Sequence, residues 1–370
     1  MKNKYFNLFL ILIFSSVQAQ DSKHNLLVGT YTTKCESKGI YVYNFDSNTG
    51  DFSFKNTSEN VVNPSYLTVS ADNNFIYAVS EYGADSQVSS FKYEAASGNV
   101  EQLNSQKAMG ADPCYIINDD KNVIVANYSG GNIAVFGKNN DGSIAEAKQV
   151  IQHYGKGPNT KRQEAPHVHM VHFSPDKKYV LSNDLGNDQM YIYAYSSDST
   201  DEVLKATDSI SVKAGSGPRH LTFSNNGKYV YVVQELDGSL TVFRYDEGKL
   251  KKIQETTILA KGFTGTFSSA DIHISPDGKF LYASNRGEAN TLSIFEISKN
   301  GKLKSKGEVS TLGKGPRNFA IDPSGNYILV AHQYTNNIVI FKRDLVTGSL
   351  TDTGKRVELC APVCLVFTPQ

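Results

Sequence analysis

GPRHLTFSNNGKYVYVVQE at residues 217–235 returns as GPRNFAIDPSGNYILVAHQ at residues 315–333. Each copy reads as a proline, a run with alternating apolar residues, a turn rich in Asn, Ser and Gly, and a second apolar run, which is the pattern of a β-hairpin rather than a helix. The unit recurs as NPSYLTVSADNNFIYAV from Asn63, DPCYIINDDKNVIVAN from Asp112, PHVHMVHFSPDKKYVLSN from Pro166 and SSADIHISPDGKFLYAS from Ser268, and APVCLVF from Ala361 supplies a seventh first strand. The anchors Pro64, Pro113, Pro166, Pro218, Ser269, Pro316 and Pro362 are spaced by 49, 53, 52, 51, 47 and 46 residues, one period with loop variation. NIAVFGKNNDGSI, GSLTVFRYDEGKL and TLSIFEISKNGKL give a third strand and the turn into a fourth.

Four strands per unit make a propeller blade, which buries its faces only against neighbouring blades. The expected fold is therefore all-β, a seven-bladed β-propeller with four-stranded blades. NLLVGTYT and GIYVYNF near the N-terminus lack an inner partner, and PVCLVF at the C-terminus lacks outer ones, so the N-terminal strands pair with the C-terminal strand and close the ring. This closure brings Cys35 near Cys360 and predicts a disulfide between them. The absence of tryptophan excludes the WD-type propellers.

The N-terminus reads as a signal peptide over residues 1–19: Lys2 and Lys4 precede the apolar run FNLFLILIF, and SVQA offers small residues for cleavage after Ala19. Residues 20–370 then form one propeller domain, periplasmic or secreted, with no membrane partner after cleavage. Export makes a disulfide chemically reasonable for the four cysteines. With 37 basic and 37 acidic residues, the chain has no charge surplus to attract nucleic acid or an acidic membrane.

Aligned by their apolar positions, the inner strands begin at Ser65, Cys114, His169, Arg219, Ala270, Arg317 and Val363, and the second strands end at Glu81, Tyr128, Asp184, Glu235, Arg286 and Gln333, with His332 alongside. Antiparallel pairing puts both sets at one mouth of the ring. A position that accepts Ala and Val in some blades and Arg or His in others does not need charge for folding, so the charged copies are expected to face a shared pocket. No GxSxG elbow or Walker A loop competes, and YSGGN at Tyr128 lacks the following helix that would cradle phosphate. A metal site drawn from His167, His169, Asp271 and His273 has no recognisable motif. No metal or cofactor is expected.

With these residues on the page, the chain resembles the lactonase-type seven-bladed propellers, the bacterial 6-phosphogluconolactonases and the related fungal carboxy-cis,cis-muconate cyclases. GTYT at Gly29, PHVHMVHFSPD at Pro166, SPDGKFLYASNRG at Ser275 and the two GPR units carry the likeness. The resemblance implies hydrolysis of a sugar-type lactone in the central funnel, and it maps the cyclase site onto His169, Arg219, Glu235 and Arg286. Glu235 or His169 could take the proton of the attacking water; a histidine is better matched than a carboxylate beside arginines, so His169 is expected as general base, with Glu235 orienting it or the water and Arg219 and Arg286 stabilising the oxyanion. Arg317 is expected to bind an anionic substituent, with His167, His332 and Glu81 as further substrate-binding candidates. Two other readings stay open: a lactone-forming lyase or isomerase of the muconate type, and a non-catalytic propeller that binds a ligand or protein.

Overall fold

Inner and second strands are joined by the repeated turn, and its chemistry explains why a serine opens it in SPDK at Ser174, SNNG at Ser224 and SPDG at Ser275. In the computed structural model, which describes residues 22–59 and 61–370, Ser275 Oγ donates to Asp277 Oδ1 at 2.6 Å and accepts from the Phe280 amide at 3.0 Å. Gly278 takes the left-handed conformation, φ +69°, that the turn needs. The same seryl clasp recurs at Ser174 and at Ser224. The expected signal peptide, residues 1–19, lies outside the described residues.

The resulting hairpins extend into seven four-stranded antiparallel sheets. Numbered by their inner strands, the blades begin with Leu67–Val69, Pro113–Asn118, Val168–Phe173, Pro218–Phe223, Phe267–Ile274, Pro316–Ile321 and Pro362–Pro369. The seventh is completed by the N-terminal strands Lys23–Thr30, Ile40–Asp46 and Asp51–Ser58, with Leu27 opposite Val366, so the ring closes as the repeat count requires. Cys35 and Cys360 form the expected disulfide across this blade, with Cα atoms 6.0 Å apart.

Each apolar core lies between neighbours rather than within a blade. In Lys23–Thr30, Leu26 and Val28 pack with blade six while Leu27 packs with blade one. The two-residue period of a strand thus feeds two different cores, and both faces must be apolar. Gly29 sits where a Cβ would stand 2.2 Å from the Pro64 carbonyl oxygen, a close blade-to-blade approach that accounts for the glycine of GTYT.

At the start of the inner strands of blades two, three, four, six and seven the ladder skips one residue. Pro218 faces Gln234 and His220 faces Val233, which leaves Arg219 without a partner. Cys114, His169, Arg317 and Val363 are skipped in the same way. A bulge of this kind re-aims a side chain without ending the strand. It also breaks the simple alternation that would put His167 and His169 on one face; His167 lies just before its strand.

Candidate active site

A cavity of about 430 Å³ opens at the end of the ring where the inner strands begin. Bulged positions contribute Cys114, His169 and Arg317; second-strand ends contribute Glu81, Tyr128, Glu235 and Arg286; loops and turns add Arg162, Ser268, Gly287 and Tyr334. The predicted convergence is therefore found for His169, Glu235, Arg286, Arg317 and Glu81, which come from five blades.

Glu235 organises this surface. Its carboxylate lies 2.6 Å from Arg162 Nη2, 2.8 Å from Arg219 Nε and 3.2 Å from Arg286 Nη2, and Ser268 Oγ donates to it at 3.2 Å. Burial alone would raise the carboxyl pKa, but Arg286, Arg219 and Arg162 prevail and hold it well below the usual carboxylate range. Arg286 is fixed in turn by Ser268, through the backbone carbonyl and through the hydroxyl at 2.7 Å.

His169 Nε2 stands 4.0 Å from Glu235 Oε2, and on the other side of the ring the Cys114 thiol is 3.6 Å from Nδ1. Burial, reinforced by the Arg219 charge, pushes the His169 pKa well below its ordinary value, so the imidazole is neutral at physiological pH. Burial also raises the Cys114 thiol far out of the nucleophilic range.

A second ion-pair group stands beside the first. Tyr31, from the GTYT strand of the closing blade, donates to Glu81 at 2.8 Å and lies under the Arg317 guanidinium, whose carbon is 5.5 Å from the ring centre. Arg317 in turn lies 4.0 Å from Glu81. Ring closure therefore reaches the cavity through Tyr31, which supports the lining residues Glu81 and Arg317.

Four sequence expectations need correction, at Arg219, His167, His332 and Asp184. Arg219 does not line the cavity: at 1% exposure it lies behind Glu235 and also donates to the Ala270 carbonyl. His167 stacks on Tyr128, ring centres 4.4 Å apart, and bonds its backbone carbonyl, so it supports a lining residue instead of forming the lining. His332 is buried against the Gly313 backbone, where burial lowers its pKa to about 4. Asp184 turns inward to pair with His153 at 2.8 Å. Asp271 and His273, weighed as metal ligands, bind each other at 2.9 Å, and Asp271 also takes His220 at 2.8 Å. Among the described residues no group of three or more His, Cys, Asp or Glu side chains is arranged to hold a metal ion.

Arg162 was missed by sequence reasoning because it lies in no repeat. It comes from residues 153–167, the longest connection between an outer strand and the next inner strand, and that length was the available signal.

Fold and cavity together define a seven-bladed propeller with a concave, strongly ionic site of the size that holds a small molecule. The family described as lactonase, 7-bladed beta-propeller, matches residues 25–367. A 6-phosphogluconolactonase of Formosa agariphila is 37% identical over 88% of this chain and 94% of its own, and one of Bacillus subtilis is 35% identical over 93% and 98%. The solved structure of the periplasmic gluconolactonase PpgL of Pseudomonas aeruginosa superimposes with a TM-score of 0.89 at 34% identity, covering 94% of this chain and 99% of that one. The chain belongs to the lactonase family of seven-bladed β-propellers and is an enzyme of that hydrolase class.

Proposed function

We propose that the protein opens a sugar-derived lactone to its hydroxy acid in this cavity, at the mouth of the central channel, in the manner named for its 6-phosphogluconolactonase relatives. The observation that carries the reading is the facing pair His169 Nε2 and Glu235 Oε2, 4.0 Å apart at the cavity surface. That gap is too long for a direct hydrogen bond, and it is the spacing that one water molecule can bridge with a hydrogen bond of about 2.8 Å to each atom.

Neutral His169 takes a proton from this water as its oxygen attacks the lactone carbonyl carbon. Glu235, ionised and weakly basic, orients the water and stabilises the imidazolium. Arg286 faces the cavity and receives the negative charge on the carbonyl oxygen. When the ring C–O bond breaks, the imidazolium returns the proton to the departing alkoxide, so one water is consumed and one hydroxy acid is formed. Arg219 takes a positioning role in place of the oxyanion role read from the sequence, because it reaches Glu235 and not the cavity. Arg317, held by Glu81 and lying over Tyr31, completes the cationic wall of the cavity.

A lactone panel read by acid release tests this. His169→Ala is expected to lower kcat by about 10²–10⁴-fold with a smaller change in KM; unchanged kcat on a substrate that the wild type hydrolyses refutes the mechanism.

The same reading places the enzyme outside the cytoplasm. The sequence features of residues 1–19, the Cys35–Cys360 disulfide and the periplasmic PpgL neighbour support export. A mature N-terminus at Gln20, read by mass spectrometry, is the expected result, and an intact Met1 in the exported fraction contradicts it.

A further inference from the structure

Glu235 has three arginine partners, and their surroundings differ. Side-chain exposure is 1% for Arg219, 11% for Arg286 and 40% for Arg162. Arg219 and Arg286 are anchored from the strands and by backbone carbonyls, those of Ala270 and of Ser268 and Ser269. Arg162 arrives on the long connection, and its other side-chain bond is to the Tyr128 hydroxyl at 3.3 Å.

A buried ion pair is costly to break because its remaining charge is stranded; in the Arg162–Glu235 pair the guanidinium is 40% exposed and the carboxylate 5%, so Arg162 can pass to water while Glu235 must rely on its other partners. If Arg162 leaves, Glu235 keeps two buried cations and stays ionised. The cavity lining carries three arginines against two glutamates, so a guanidinium released from Glu235 would be free for an anionic group.

We propose that Arg162 is a specificity-determining residue: it exchanges Glu235 for the anionic substituent of the substrate, phosphate or carboxylate, and so selects charged lactones over neutral ones. The proposal rests on the hydrolytic reading for its substrates but not for its binding chemistry.

The test compares wild type, Arg162→Ala and Arg162→Lys on two matched pairs, 6-phosphoglucono-1,5-lactone with glucono-1,5-lactone and D-glucaro-1,4-lactone with D-glucono-1,4-lactone. The expected result is a wild-type preference for at least one charged member and a fall of that preference by at least tenfold in Arg162→Ala, mostly in KM. Arg162→Lys should restore part of it. The pair that responds tells phosphate from carboxylate. An equal loss on charged and neutral members, no loss, or no wild-type preference overturns the proposal.

Calorimetric binding of 6-phosphogluconate against gluconate and of glucarate against gluconate reads the same contact without turnover. If no lactone is hydrolysed, the hydrolytic reading fails. The Arg162 assignment then stands only if a charged acid binds at least tenfold tighter to the wild type than to Arg162→Ala, and otherwise falls.

Discussion

A carboxylate buried beside three guanidinium groups is an unusual tool for proton transfer, and its setting decides what it does. Glu235 is too stabilised as an anion to be an effective base, and the proposed mechanism therefore gives the proton to His169, whose own charge is disfavoured by burial and by Arg219. Because His169 protonates well below the ordinary histidine value, the hydrolysis rate should hold as pH falls through 6.5 and decline only at lower pH. Arg219→Gln removes a repelling charge, so His169 protonates more readily and the acid limb of the rate profile moves to higher pH. A merely structural role for Arg219 would lower the amount of active enzyme and leave the limb in place. The same variant should also cost about 1–3 kcal/mol of stability, because the buried Ala270 carbonyl and Glu235 each lose a donor. The sequence named Glu235, His169 and Arg286 correctly as neighbours, since repeat alignment fixes where strands start and stop. It placed Arg219 and Arg317 at equivalent positions, yet one lies behind the site and the other lines it. That difference depends on where each side chain finds a partner, Glu235 for one and Glu81 with Tyr31 for the other, and no alignment of single positions reports it.

Among the elements, the inner strands were legible and their bulges were not. Pro at six of the seven anchors marked a strand start, and a proline there lacks the amide a regular ladder would need, but the extra residue that follows shows only in the register. The connection at residues 153–167 was visible as an unusually long gap, while the position of Arg162 within it depends on tertiary contacts. The closing blade was legible from the mismatch between the chain ends. Its strands pair through hydrogen bonds that can fray, whereas Cys35–Cys360 ties them covalently across 325 residues of sequence. Cys35→Ser should therefore lower unfolding free energy by about 2–4 kcal/mol, read by denaturant titration, and activity should fall with temperature earlier than in the wild type. An unchanged midpoint would show that strand pairing alone secures the ring.

At the scale of the molecule, seven similar units have diverged in what they present at one end of the ring while keeping the same packing between blades. Blades two and seven place the neutral Cys114 and Val363 at the bulge, where blades three, four and six place His169, Arg219 and Arg317. The proposed mechanism thus assembles its chemistry across blades, and residues distant in sequence should act on one transition state. A double-mutant cycle on kcat/KM with His169→Ala, Arg286→Ala and the double variant measures this most directly, since the two residues belong to blades three and five. Shared action predicts strong non-additivity, with the double variant scarcely slower than the worse single one. Losses that add to within about 0.5 kcal/mol would show independent sites and contradict the account.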